Sequence, residues 1–147
     1  MDNFPSPDWL NIKHIVRFGD TDSAGVIHFY QVFRWCHEAW EESLRLYGIK
    51  ASEIFPNLLN KDNQPSIALP IVHCEADFVK PIHTGDHLNL AITPQKINDH
   101  TFQVMVKITR GSQLVAQGLI RHQAINSRTR CSCSLSLPIQ SWIESSS

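Results

Sequence analysis

One stretch of the chain changes period, and it constrains the fold more than any other feature. From about residue 30 to 47, Val32, Phe33, Cys36, Ala39, Trp40, Leu44 and Tyr47 recur at spacings of three and four. That spacing is the apolar stripe of a long helix. Gly48 follows, where a left-handed residue commonly ends a helix. The flanking segments instead have period two. Residues 9–18 alternate in part, with Leu10, Ile12, Val16 and Phe18 on one face, and predict a first strand.

After the helix come a short helical turn at 51–55 and a polar loop at 57–66. Four more strands are then expected. The first covers 67–79 and is interrupted by Pro70. In the second, Leu88, Leu90 and Ile92 alternate with polar neighbours until a break at Pro94. In the third, Phe102, Val104, Val106 and Ile108 alternate cleanly, and the last covers 113–126. Turn signals at 83–86, 98–100 and 111–112 separate them. Three hairpin-like connections predict an antiparallel meander, because parallel neighbours need long crossovers. The expected class is α+β, an antiparallel sheet of about five strands curled round one long helix. The final 21 residues hold eight serines. From about 127 they read as a Ser-rich tail in which only 138–142 can pack and the end frays.

Composition limits the function classes. At 147 residues, 42% hydrophobic and 18% charged, the chain 1–147 reads as one globular domain. Thirteen Lys plus Arg against fourteen Asp plus Glu leave a formal charge of -1, which excludes a charge-driven nucleic-acid binder. No apolar run approaches the ~20 residues needed to span a bilayer. The opening Met1-Asp2-Asn3-Phe4-Pro5 lacks the basic-then-apolar pattern of a secretory signal. Cys36, Cys74, Cys131 and Cys133 are too few and scattered for a disulfide scaffold, and Cys131 and Cys133 form only a C-x-C. Reduced thiols in a cytoplasmic protein are expected, with no metal and no cofactor.

The chemistry concentrates in one segment, Arg17-Phe18-Gly19-Asp20-Thr21-Asp22-Ser23-Ala24-Gly25-Val26. It sets two acids between a strand and the long helix. A helix start presents unpaired N–H groups and a partial positive charge, which can hold a developing oxyanion. A nearby carboxylate can then act as base or nucleophile on an acyl carbon. The plainer alternative is an Asx turn, with the acids capping backbone amides. Spacing leaves both open. The eight histidines supply no metal pattern: His83 and His87 flank a turn, outside any helix. Cys74 and His73 are no dyad, because strand neighbours point to opposite faces. Trp9, Trp35 and Trp40 could line an aromatic pocket, although Trp40 belongs to the apolar stripe.

The run Phe18-Gly19-Asp20-x-Asp22-x-Ala24-Gly25-Val26, followed by Phe33-Arg34-Trp35, resembles the 4-hydroxybenzoyl-CoA thioesterase branch of the hotdog-fold family. Leu69-Pro70-Ile71-Val72-x-Cys74-x-Ala76-x-Phe78-Val79 is similar to that family's second strand. The similarity runs from about 12 to 126. It implies a hotdog-fold acyl-CoA thioesterase in which Asp22 is the catalytic carboxylate, as nucleophile or as base on water. It also implies that Gly25, Val26 and Phe29 aim backbone amides at the thioester carbonyl. Phe29 stands where the familiar type has Tyr, a difference to which a backbone donor is indifferent. The family's basic run before its fourth strand is replaced here by Asn98-Asp99-His100. Lys96, His100, Arg128 and Arg130 are therefore the candidate CoA contacts. Within the branch, the pattern is most similar to cyanobacterial members that hydrolyse 1,4-dihydroxy-2-naphthoyl-CoA on the way to phylloquinone. The family assembles as dimers with sites between subunits, commonly as dimers of dimers, so a homotetramer is implied.

Two rivals remain. His28-Phe29 echoes the hotdog hydratases and dehydratases, but Tyr30-Gln31-Val32 replaces the proline-rich continuation expected there. A non-catalytic acyl-CoA-binding module is opposed only by an acid beside a helix start.

Overall fold

The computed structural model describes residues 7–56 and 65–147. Most of the expected polar loop at 57–66, and the first six residues, lie outside them. A 3-10 turn (Asp8–Leu10) leads into β1 (Asn11–Ile15), and a second 3-10 turn covers Phe18–Asp20. The long helix is α1 (Gln31–Tyr47), followed by the short α2 (Ala51–Ile54). Then come β2 (Ile67–Ala68), β3 (Ile71–Phe78), β4 (His87–Asn98), β5 (Thr101–Arg110), β6 (Gln113–Gln123), β7 (Ile125–Asn126) and α3 (Leu137–Ser145).

The main sheet has the order β1-β4-β5-β6-β3, with every neighbouring pair antiparallel, while β2 and β7 form a small separate ladder. The expected α+β class holds, but several details of the strand reading do not. Only β4, β5 and β6 form a meander. The loop after β3 is no hairpin, because β3 pairs with β6 at the far edge and the chain crosses the sheet before β4 begins. Pro94 does not break β4, which continues through it opposite Val104. Here β1, which starts at Asn11 opposite Ala91, does not reach, so β4 has a sheet neighbour on one side only and a residue without an N–H is tolerated. The last expected strand divides into β6 and β7 around Ala124.

The core follows from two periods meeting. From α1, Val32, Trp35, Cys36, Ala39, Trp40 and Leu44 are buried. They meet the inward alternation of Leu88, Leu90 and Ile92 on β4 and of Phe102, Val104, Val106 and Ile108 on β5. Burying a side chain of this size contributes roughly 1.5–3 kcal/mol. Trp35 and Trp40 are therefore core residues, and Trp9 packs against that core, its ring 5.0 Å from that of Tyr47. Gly48 ends α1 at φ 115°, its N–H bonded to the Leu44 and Arg45 carbonyls.

The Ser-rich end is helical rather than frayed beyond 142. Leu135, Ile139, Trp142 and Ile143 are buried, and Trp142 Nε1 donates to Ser43 Oγ at 3.0 Å inside the core. The Tyr47 hydroxyl meets Ser141 Oγ at 2.8 Å and Ser145 Oγ at 2.9 Å. Serines that read as tail composition thus dock one helix on another.

Candidate active site

Asp22 begins a small closed loop. Its N–H donates to the Val26 carbonyl at 2.9 Å, Gly25 N–H returns to the Asp22 carbonyl at 3.0 Å, and Thr21 bridges Ile27. Gly25 has φ 80°, a backbone that side-chain-bearing residues seldom adopt. Oδ1 of Asp22 accepts the N–H of Ala24 at 2.8 Å and of Val26 at 3.3 Å. The Asx turn that the sequence allowed is thereby formed by one oxygen of this carboxylate. Oδ1 caps the turn, whereas Oδ2 has no hydrogen-bond partner among the described residues.

Asp20 is committed to structure. Its Oδ2 accepts Arg17 N–H at 3.0 Å and lies 3.4 Å from His14 Nε2, and its carbonyl accepts His28 N–H at 3.3 Å. The His14 ring in turn packs on Trp35, centroid to centroid 4.7 Å.

The approach to α1 decides which amides remain available. Gln31, Val32 and Phe33 N–H bond back to the carbonyls of His28, Phe29 and Tyr30. The N–H groups of Phe29 and Tyr30 have no acceptor among the described residues. Of the three residues expected to supply amides, Gly25 and Val26 have spent theirs inside the loop, and Phe29 retains its own.

Val26 and Phe29 also line a groove of about 340 Å³ together with Phe78, Val79, Pro81 and Ile82. Sequence reading missed this wall. Phe78 and Val79 look like any end of an alternating strand, and only the crossing of β3 to the far edge brings them beside residues 26–29. The remaining candidates sit elsewhere. Lys96 on β4 has its Nζ 3.4 Å from Asp99 Oδ1, and His100 in the following turn has Nδ1 3.0 Å from Thr101 Oγ1. Arg128 and Arg130 are exposed in the turn after β7. All four lie at the Asn98 end of β4, whereas the Asp22 loop adjoins its His87 end. The strand between has 12 residues and is roughly 36 Å long at about 3.3 Å per residue. Within one protomer the structure does not bring these groups to Asp22. Among the described residues no three His, Cys, Asp or Glu side chains converge as a metal set.

Residues 16–144 match the model of the thioesterase-like superfamily. The chain belongs to that family. The enzyme class expected from the sequence, a thioester hydrolase, is the family's own. A 1,4-dihydroxy-2-naphthoyl-CoA hydrolase of Prochlorococcus marinus (strain MIT 9211) is 62% identical over 95% of this thioesterase and 92% of its own length. A solved structure from Prochlorococcus marinus strain MIT 9313 superposes with a TM-score of 0.92 at 50% identity, covering 95% of this chain and 97% of that one. The 1,4-dihydroxy-2-naphthoyl-CoA thioesterase of Synechocystis superposes with a TM-score of 0.79 at 32% identity, covering 91% and 94%. No helix among the described residues of this thioesterase is long and apolar enough to cross a membrane.

Proposed function

We propose that this thioesterase hydrolyses 1,4-dihydroxy-2-naphthoyl-CoA to the free acid and CoA in phylloquinone biosynthesis. The observation that carries the chemistry is the division of labour in Asp22. One carboxylate oxygen locks the loop and the other is uncommitted, a few residues before an N–H, that of Phe29, with nothing to bond. The thioester carbonyl oxygen lies against the Phe29 amide, and the free oxygen of Asp22 addresses the acyl carbon. Asp22 either attacks that carbon, with water later cleaving the anhydride, or takes a proton from water as the water attacks. In both courses the C–S bond breaks, the thiolate leaves with the electron pair, and one water is consumed, its hydroxyl ending on the product acid or on the regenerated Asp22 carboxylate and its proton going to the thiolate or to solvent. A thiolate is a good leaving group, so no strong acid is needed beside it. The identity of the acyl group rests on the relatives named above, and the apolar groove along Phe29 and Phe78 suits an aromatic ring.

The active unit in this reading is an oligomer. β3 is an edge strand whose outward side is unpaired, and Ile71, Val72, Phe78 and Val79 are each about half exposed. An open edge of eight residues invites pairing with another strand. Antiparallel pairing of β3 with a second copy would set the partner's residue-71 end beside this protomer's residue-78 groove. Arg128 and Arg130 of that copy would then stand near the mouth of the groove, as CoA contacts supplied across the interface. The homotetramer implied by the family is two such dimers, working in the cytoplasm, where CoA thioesters and the four unpaired thiols belong.

The test is thiol release from a panel of aromatic and aliphatic acyl-CoAs, with Asp22→Asn as control. Asn keeps an oxygen for the Ala24 and Val26 amides, so the loop survives while the basic oxygen is lost. Turnover should fall by roughly 10²–10⁴, with 1,4-dihydroxy-2-naphthoyl-CoA the preferred substrate of the parent. Near-parental hydrolysis by Asp22→Asn would remove the assignment. Hydration of enoyl thioesters, or binding without turnover, would favour the rival functions.

A further inference from the structure

The Asp22 segment reaches the rest of the molecule through the loop between β3 and β4. Ile27 N–H donates to the Ile82 carbonyl at 3.1 Å, Val26 bridges His83, and Thr84 Oγ1 lies 3.5 Å from Thr21 Oγ1. A single side chain closes that supporting loop on itself. Arg110, the last residue of β5, donates from one guanidinium nitrogen to the Pro81 carbonyl at 3.0 Å and to Asp86 Oδ2 at 2.7 Å. The same carboxylate oxygen accepts His83 N–H at 2.9 Å. The other terminal nitrogen of Arg110 reaches Gln113 Oε1, across the β5–β6 turn, at 3.2 Å. One guanidinium therefore ties Asp86, at the β4 end of the loop, to the Pro81 carbonyl beside its centre, Ile82, which is buried and carries the carbonyl that receives Ile27.

We propose that Arg110 is a positioning residue for thioester hydrolysis. Its clasp on Pro81 and Asp86 fixes the Ile82 and His83 backbone from which Val26 and Ile27 hang, and so sets the Phe29 amide relative to the Asp22 carboxylate. The inference rests on the role proposed for Asp22. A charge-assisted bond between partly shielded side chains, 31% and 20% exposed, is stronger than an ordinary surface contact. Displacing a catalytic constellation by 1 Å can cost on the order of 10²-fold in rate, so a clasp remote from the acyl carbon has leverage on it. A lysine carries the same charge with three donors on one nitrogen but on a shorter, more flexible stem, and would restore the bridge between Asp86 and Pro81 in part.

The experiment measures kcat and KM for 1,4-dihydroxy-2-naphthoyl-CoA at a temperature where circular dichroism reports each variant folded. The variants are Arg110→Ala, Arg110→Lys, Asp86→Asn, Gln113→Ala, Asp22→Asn, and Arg110→Ala combined with Asp86→Asn or with Asp22→Asn. Arg110→Ala should lower kcat by about 10- to 100-fold with little change in KM. Arg110→Lys should recover part of that loss, and Gln113→Ala should match the parent. The Arg110→Ala and Asp86→Asn losses should not multiply when combined, because both open one clasp. In the Asp22→Asn background Arg110→Ala should cost nothing further. If Asp22→Asn abolishes turnover while folded Arg110→Ala and Asp86→Asn keep parental kcat, the clasp is overturned and the role of Asp22 stands. A loss in Gln113→Ala equal to that in Arg110→Ala would also overturn it, since β5–β6 geometry would then be the cause. An active Asp22→Asn removes the reading beneath the inference.

Discussion

At Gly118 α1 lies close against the sheet, and Gly118→Ala tests whether that approach is as tight as it looks. Gly118 sits on β6 between Val106 of β5 and Ala76 of β3. A Cβ added there would stand 2.5 Å from Cys36 Sγ and 3.5 Å from Val32 Cγ1. Unstrained contacts between such atoms lie at roughly 3.5–4.0 Å, so the sulfur or the helix must retreat by about 1 Å. Cys36 is fully buried, and burial pushes its thiol pKa up to about 12; it has no open space to turn into. Overpacking of this kind costs about 1–3 kcal/mol. Urea unfolding at one fixed protomer concentration should report that loss for Gly118→Ala. Cys36→Ala removes the obstructing atom, so the double variant should be more stable than the sum of the two single losses predicts, by roughly 0.5–3 kcal/mol. Thiol labelling adds an independent readout, because a lifted helix exposes Cys36 while Cys74 and Cys131 react as before. The reasoning fails if Gly118→Ala changes stability by less than about 0.5 kcal/mol, or if the two substitutions are simply additive.

Two further outcomes follow from the core and the groove. His122 is buried and holds only the Leu69 carbonyl, at 2.9 Å, among the rings of Trp40 and Phe102; burial, with His37 nearby, pulls its pKa down to about 4. The unfolded chain therefore binds a proton that the folded chain refuses between its ordinary value and about 4. Stability contributed by the neutral ring is complete above roughly pH 6.5 and is lost as pH falls toward 4, by roughly 3 kcal/mol in all. Denaturant titrations from pH 7 to 4 should show this slope in the parent, and a flatter one in His122→Gln. Phe29→Ala keeps the backbone N–H but removes a wall of the groove. It should raise KM for the aromatic thioester several-fold while kcat stays within about threefold of the parent, since a main-chain donor is unchanged. A large fall in kcat alone would show that the ring itself orients the thioester.

How much of this was legible beforehand depended on range. The α1 stripe and the alternations of β4 and β5 are local patterns, written in residues a few places apart, and they appear in the fold where the periods put them. The position of β3 is not local. Nothing between residues 71 and 86 says whether the next strand lies alongside or across the sheet; that is settled by which partner offers β3 the better face, here β6. Pro94 misleads for a related reason, because a proline is costly only where a neighbouring strand needs its N–H, and β1, which starts at Asn11 opposite Ala91, does not reach it. In the C-terminal segment, serine content concealed a helix whose apolar spacing, Ile139, Trp142 and Ile143, was visible but short.

The site divides along the same line. Asp20, Asp22 and Gly25 declare a tight turn because turn chemistry is encoded in adjacent residue types. Which amides that turn leaves free is a matter of competition, and composition is silent on it. Gly25 and Val26 look as able to donate as Phe29 until the Asp22 side chain and carbonyl claim them. The groove wall and the Arg110 clasp lie further still from any motif, since Phe78, Ile82, Asp86 and Arg110 meet only after the sheet has closed. A sequence motif of this family can therefore nominate the carboxylate, but the residues that hold it at working distance from an acyl carbon have to be sought in the loop beneath it.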